Sequence, residues 1–436
     1  MFSYSIARTP GCGVRHARPT WVRLAVLALS LGIARLVFAS EADIRPLSLE
    51  EAVRLAEADS PAIEARKAAV TSAEDAVAPA GALPDPQLVA GIDNLPITTG
   101  DSYSLTRDFM TMRKVGVMQT FPQGDKRRSR TERAQAMAAR ERALLTNERL
   151  SIRESVARAW IARATAERRL ELVRTLQPRA EALLAAATAA LSAGRSSAAD
   201  AIAAKSAQAV LADRLNQLER EVDDTRADFT RWLPGVAERP LGDAPDWLNL
   251  GVDPDALITH IAHHRELLTY DAAEQAAQAE IALARADKHP DWSVELDYAQ
   301  RGPRYSNMIS LEFRVDLPIF GTRRQDPLIA SKVAAAEQIS AERDDALRMH
   351  AAELRKALTA WRSAGQRVQR YEHDLIPLAD DRADAALAAY RGGRGDLQAS
   401  LTALDDAIEQ RVTYTELQNT LGQAWATLHF AFPEEH

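Results

Sequence analysis

A chain of 436 residues with a formal net charge of −7 is long enough for two or three soluble domains or one elongated one. The acidic balance argues against nucleic acid as a partner, and abundant alanine and arginine beside only 19 glycines favour long helices. The single cysteine, Cys12, leaves no pair for a disulfide.

The first stretch reads as a separate object. Arg8, Arg15, Arg18 and Arg23 precede the apolar run Leu24–Ile33, and Val37-Phe-Ala39 offers a small-residue cleavage site. This predicts a secretory signal peptide over residues 1–39. Cleavage would remove five arginines and no acid, leaving a charge near −12, and Cys12 would go with it, too early to serve as a lipidated first residue. The run is short for a membrane-spanning helix and no other apolar stretch approaches that length, so membrane residence would come through strands or surface contact.

Residues 47–82 read as helical, opened by a capping box of Ser48 and Glu51 and closed by Leu83-Pro-Asp-Pro86. Strands are expected at about 87–95 and 114–121, on either side of a turn-rich segment, with Pro122 as the stop. A long helical region over about 124–191 follows, interrupted only by Pro178. At about 1.5 Å per residue it would reach on the order of 100 Å, and its Ala and Leu spacing gives a coiled-coil-like face. Ala193-Gly-Arg-Ser-Ser197 breaks it, and a return helix runs to Leu233.

The same order then recurs. A helix is expected from about Asp255 to Asp287, strands at about 292–299 and 308–317, and a long helical region up to Tyr390, broken by Gly392-Gly-Arg-Gly395. Pro122 and Pro318 are 196 residues apart, Pro178 and Pro377 are 199 apart, Gly194 and Gly393 are 199 apart, and Trp160 pairs with Trp361. The register predicts an internal duplication: 40–235 as first repeat, 236–254 as connector and 255–436 as second repeat.

The strands of the second repeat are the most informative. Trp292, Val294, Leu296 and Tyr298, then Ile309, Leu311, Phe313 and Val315, alternate with Glu295, Asp297, Glu312, Arg314 and Asp316. Such alternation is ordinarily a soluble sheet with one solvated face; its dense charge against large apolar groups also suits a strand between lipid and a wet lumen. On the second reading the apolar set faces lipid and the charged set faces the lumen. Four strands cannot close a membrane barrel, which needs at least about eight, and lipid does not tolerate open sheet edges. Several copies would then have to assemble, and the charged lumen favours three copies over a packed two-copy barrel.

The chain resembles outer-membrane factors of the TolC family through Leu47-Ser-Leu-Glu-Glu-Ala-Val53 with Ser60-Pro61, Gln119-Thr-Phe-Pro122, Pro318-Ile-Phe-Gly321 and Tyr390-Arg-Gly-Gly393. The resemblance implies a mainly α fold with a membrane β-barrel: a homotrimer whose four strands per chain make a 12-stranded barrel above a periplasmic α-helical barrel. It also implies the outer membrane of a Gram-negative bacterium, contact with outer-membrane lipid, and service as exit channel of a tripartite efflux system. Partners would be a periplasmic adaptor and an inner-membrane RND-type pump, with no catalysis and no cofactor. Gly91-Ile-Asp-Asn-Leu-Pro96 and Thr106-Arg-Asp-Phe-Met-Thr-Met-Arg113 resemble the branch that exports heavy-metal cations such as cobalt, zinc, cadmium, copper or silver. A duct for drugs or type I secretion stays open beside it, as does a soluble periplasmic coiled-coil scaffold.

By the same resemblance the helical turns would meet the adaptor through Leu191, Gly194, Arg195 and Ser196 in the first and Tyr390, Arg391, Gly393, Arg394 and Leu397 in the second. Family members narrow the periplasmic end with aspartate rings just past the second turn. The aligned positions here fall near Ala399 and Thr402, which leaves Asp396, Asp405 and Asp406 as gate candidates or as ordinary solvated residues. His260, His263 and His264 would share one helical face compatible with a metal, or be plain helix surface. Met110, Met112 and Met118 are soft ligands for copper or silver, or simple apolar residues. No nucleophile, phosphate loop or metalloprotease spacing occurs, and catalysis is not expected.

Overall fold

The computed structural model describes residues 45–98 and 100–433; the expected signal segment 1–39, and Cys12 within it, lie outside the described residues. The expected first helix is three: α1 (Leu49–Ala58), α2 (Pro61–Asp75) and α3 (Val77–Ala80). Ser48 Oγ accepts from Glu51 N at 3.2 Å to start α1, and Ser60 does the same for Ile63 N at 3.3 Å. Pro61 forces the break, because the residue before proline is pushed out of the helical region.

Strands β1 (Gln87–Asp93), β2 (Met112–Phe121), β3 (Trp292–Gln300) and β4 (Met308–Val315) form one antiparallel sheet in the order β1-β2-β3-β4. β2 and β3 come from opposite halves of the chain and pair from Arg113 opposite Gln300 to Phe121 opposite Trp292. β1 and β4 are left as open edges. β4 ends at Val315, earlier than expected, because Pro318 follows closely; the Asp316 amide adds one last in-register bond, to Asp291 O at 2.9 Å.

From the sheet runs α4 (Gly124–Arg174), 51 residues and so roughly 77 Å long. It is followed by α5 (Gln177–Ser192) and the returning α6 (Ala198–Thr230). The other half supplies α7 (Pro254–Thr259), α8 (Arg265–Ala286), α9 (Gln325–Arg370), α10 (Ile376–Arg391) and the returning α11 (Leu397–His429). Both long helices falter just before a proline. Thr175 and Leu176 separate α4 from α5, and a π-turn at Tyr371–Leu375 separates α9 from α10. Pro178 and Pro377 have no N–H for the preceding turn, and the widened turn absorbs the lost bond.

The core is strung along the helices in three clusters. The largest surrounds Trp160, Phe229, Leu358, Leu421 and Trp425; a second runs from Leu170 to Val412; a small one joins Leu183, Ala187, Ala204 and Leu397 beside the turns. The two landmark tryptophans do parallel jobs. Trp160 Nε1 donates to Leu47 O at 3.1 Å, and Trp361 Nε1 donates to Trp247 O at 2.8 Å. Each indole pins the chain entering its own half onto a long helix while burying a large apolar ring.

Candidate functional site

The register sorts the sheet into two faces. One carries rows such as Leu88, Val117, Leu296 and Leu311, and Ala90, Val115, Tyr298 and Ile309. Ile309 is 75% exposed, Phe313 66% and Leu311 59%, so the face presents a continuous apolar surface far larger than scattered surface hydrophobics. Phe121 stacks on Trp292 at 4.4 Å at the end nearest the helices. Val294 is half-buried on the same face.

The opposite face is charged and folded in on itself. Glu295 and Asp297 are only 2% and 5% exposed, less open than side chains in a wet lumen would be. Glu295 pairs with Arg314 at 2.5 Å and with Lys114 at 3.6 Å; Arg314 also holds Glu312 at 2.9 Å, and Lys114 reaches Asp93 at 3.7 Å. Long side chains on β2 and β4 thus close over the acids of β3, whereas Asp316 stays exposed. Gly116 makes room for this: an added Cβ would sit 1.9 Å from Asp297 Oδ1. Sequence alternation did not reveal Lys114 as the partner, because the pairing depends on the β2–β3 register.

At the far end of the helices both turns have one construction. Gly194 and Gly393 take φ of 66° and 68°, a left-handed conformation that costs a side-chain-bearing residue about 1–2 kcal/mol. Arg195 N bonds Ala190 O and Gly194 N bonds Leu191 O, both at 2.9 Å; Arg394 N and Gly393 N repeat this at 3.0 Å with Ala389 O and Tyr390 O. These are Schellman closures, which satisfy the last helical carbonyls. Ser197 and Asp200 form a reciprocal capping box that opens α6, with Ser196 also bonded to Asp200. Leu191, Arg195, Arg391 and Arg394 are exposed, Ser196 and Tyr390 are partly covered, and Leu397 is buried against Leu183 and Ala187.

The three gate candidates differ. Asp396 is the exposed N-cap residue of α11 and makes no side-chain cap bond. Asp406 pairs with Arg382 at 2.5 Å. Asp405 is unpaired, and burial first, then its neighbour Asp406, pushes its carboxyl above the usual carboxylate range. A bond network unforeseen in the sequence lies nearby. Arg179 of the first half binds Asp380 at 2.7 Å and Asp384 at 2.8 Å, and Arg411 binds the same Asp380 at 2.8 Å. Only tertiary packing brings residues this far apart in sequence together.

The histidine expectation is corrected. The helix expected over 255–287 is interrupted by a short 3-10 turn at Ile261–His263, so His260, His263 and His264 do not share a helical face. His264 caps α8 and stacks on His350 at 4.2 Å, while His260 and His263 are exposed. Pro254 and the new cap at His264 start separate helices, which is why a single helical period fails here. The methionines are not gathered either. Met112 opens β2 opposite Asp93, and Met118 lies six residues on, roughly 20 Å away, where its sulfur accepts from Arg314 at 3.2 Å. Met110 is an exposed loop residue. Among the described residues no group of three or more His, Cys, Asp or Glu side chains is placed to hold a metal ion.

Residues 52–233 match the family of outer membrane efflux proteins. The match lies within the first part of the chain and includes β1, β2 and the turn at Gly194. Three solved structures share the fold. OprN, an outer-membrane channel, is 16% identical with a TM-score of 0.72, over 87% of this chain and 89% of its own. VceC from Vibrio cholerae, an outer membrane protein, is 18% identical with a TM-score of 0.72, over 88% and 95%. CusC, described by its transmembrane channel formation, is 13% identical with a TM-score of 0.72, over 91% and 96%. No curated protein sequence matches the chain. The efflux family and the neighbours OprN and CusC are channels rather than enzymes. No helix among the described residues is long and apolar enough to cross a membrane.

Proposed function

We propose that the chain is the outer-membrane exit channel of a tripartite efflux system, assembled as a homotrimer. The observation that carries this reading is the sheet: its exposed apolar face needs lipid, and its unpaired β1 and β4 edges need further copies. Three copies of four strands make a 12-stranded barrel, with Trp292, Leu296, Tyr298, Leu311 and Phe313 toward lipid and Glu295, Asp297, Glu312 and Arg314 toward the lumen. The chain is a tandem repeat, with residues 40–235 and 255–436 each supplying two strands and one long helical hairpin. The helices cross the periplasm, and the turns at Gly194 and Gly393 meet an adaptor that connects to an inner-membrane RND-type pump.

The cargo assigned is heavy-metal cations, on the resemblance of Gly91–Pro96 and Thr106–Arg113 to that branch. Selection of the cargo would rest with the pump, as the duct is passive. Fractionation and crosslinking of the full chain test the channel: a crosslinked trimer in the outer membrane is expected, and a soluble periplasmic monomer would sink the reading. Deletion should then sensitise cells to one or more of cobalt, zinc, cadmium, copper and silver. Sensitisation to drugs alone would transfer the cargo assignment to the drug-duct reading.

A further inference from the structure

Where the β2–β3 seam meets the helices, Lys126 of α4 is only 6% exposed and is ion-paired with two acids of the other half. Its Nζ donates to Asp291 Oδ1 at 3.0 Å and to His289 O at 3.3 Å, and lies 3.7 Å from Asp287. The Gln123 amide donates to the same Asp291 oxygen at 3.2 Å, so the clamp ties the end of β2 to the start of β3. Both of its sides have a counterpart in the other repeat. Pro84-Asp85 precedes β1 as Pro290-Asp291 precedes β3, 206 residues apart. Gly321-Thr-Arg323-Arg324 follows β4 as Gly124-Asp-Lys126-Arg127 follows β2, 197 residues apart. Arg127 turns back to its own half, where its Nε donates to Gly81 O at 2.9 Å, which leaves Arg323 as the counterpart of Lys126. Asp85 and Arg323 are exposed, and neither side chain has a partner among the described residues.

We propose that Arg323 pairs with the partner subunit's Asp85 and clamps the β4–β1 seam between two copies, as Lys126 and Asp291 clamp the seam within one. The inference rests on the channel reading above and specifies how a second copy meets the first. The two charges are complementary and lie at the helix-side ends of the two open strands. Moving the β2–β3 register onto those edges gives the seam in detail. Gln119 stands opposite Val294, Val117 opposite Leu296 and Val115 opposite Tyr298. With β2 moved by 196 residues and β3 by 206, Val315 meets the partner's Leu88, Phe313 the partner's Ala90 and Leu311 the partner's Ile92. All six belong to the apolar face, whereas a slip of one residue would set apolar against charged side chains. The glycines agree. Gly116 faces Asp297 because a Cβ there would sit 1.9 Å from Asp297 Oδ1, and the transferred register again sets an acid, Glu312, against a glycine, the partner's Gly91. Within one copy the nearest atom to a Cβ added at Gly91 is 3.7 Å away, so no contact inside the protomer calls for glycine there.

The test uses the full chain, in membranes and in mild detergent. Arg323→Asp and Asp85→Arg should each lower the temperature at which the trimer dissociates by a few degrees, and the combined swap should recover most of that loss. Arg324→Asp combined with Asp85→Arg should recover none of it. Cysteine pairs in a Cys12→Ser background read the register without any change of charge. Leu88→Cys with Val315→Cys should give disulfide-linked dimers and trimers on a non-reducing gel. Leu88→Cys with Phe313→Cys, one diagonal step away, should not, because the sulfurs would be too far apart to bridge. A trimer that links in another register, or single reversals that the combined swap fails to rescue, would overturn the clamp and leave the channel standing. A wild-type chain found only as a soluble monomer would overturn both.

Discussion

His350, on α9, faces the start of α8. Its Nε2 lies 2.8 Å from Glu266 Oε2 on α8 and its Nδ1 3.0 Å from Glu353 Oε2 on its own helix. Its ring stacks on His264, and Phe432 approaches His264 edge-on at 6.0 Å. Glu266 first, and Glu353 after it, hold the His350 pKa above its usual value despite burial. His264 is driven the other way, to about 4, by burial first and then by the charges of His350 and Arg265. The two signs differ. His350 stabilises the fold fully below its ordinary value of about 6.5 and loses that contribution as pH rises through its raised folded value. His264 costs stability as pH falls from 6.5 toward 4, where only the unfolded chain takes up the proton. Resistance of the helices to thermal unfolding, followed by circular dichroism, should therefore peak near pH 6.5. His350→Gln should remove the decline on the alkaline side and leave the acid side in place. An unchanged alkaline limb would show that the pair does not carry it.

At the scale of elements, β4 tests the proposal that the apolar face of the sheet meets lipid. Every residue of β4 is exposed within one protomer, and Leu311 stands in the row with Leu296, Val117 and Leu88. Leu311→Arg would place a charge in the middle of that row, at a cost of about 2–4 kcal/mol if it faces the bilayer midplane. The expected outcome is loss of the heat-modifiable folded band and of outer-membrane trimer, while the same substitution at Ser310 on the other face is tolerated. Equal tolerance at both positions would contradict the assignment. The neighbouring elements show why the alternation could be read so early: a strand period of two sorts side chains to faces whatever its partners are.

At the scale of the whole molecule, the two halves are held together by few but specific contacts near the turns. Asp380 serves Arg179 of one half and Arg411 of its own, and Arg411 is largely buried. Asp380→Asn removes the charge both arginines share, and losing charge-assisted hydrogen bonds of this kind costs about 1.5–3 kcal/mol. The variant should melt at lower temperature and be cut faster by protease near Gly194 and Gly393, with strand pairing in the sheet unaffected. Unaltered melting and cleavage would mean that apolar packing of α5, α6, α10 and α11 suffices without the network.

Much of this chain was decided locally, and therefore appeared in the sequence. The four strands lie within about two residues of their expected bounds because alternation, Pro122 and Pro318 are local signals. The turns at Gly194 and Gly393 were visible because a left-handed helix end calls for glycine. The spacing of Trp160 and Trp361 was legible too, though not the carbonyls of Leu47 and Trp247 that their indoles reach. What needed the tertiary structure was every partnership between separate elements. Lys114 and Arg314 covering Glu295, Arg179 meeting Asp380, and His264 leaving a supposed helical face to stack on His350 all depend on register and packing. A side chain's type is written in the chain, but its partner is set by the register and packing of separate elements, which no local period encodes.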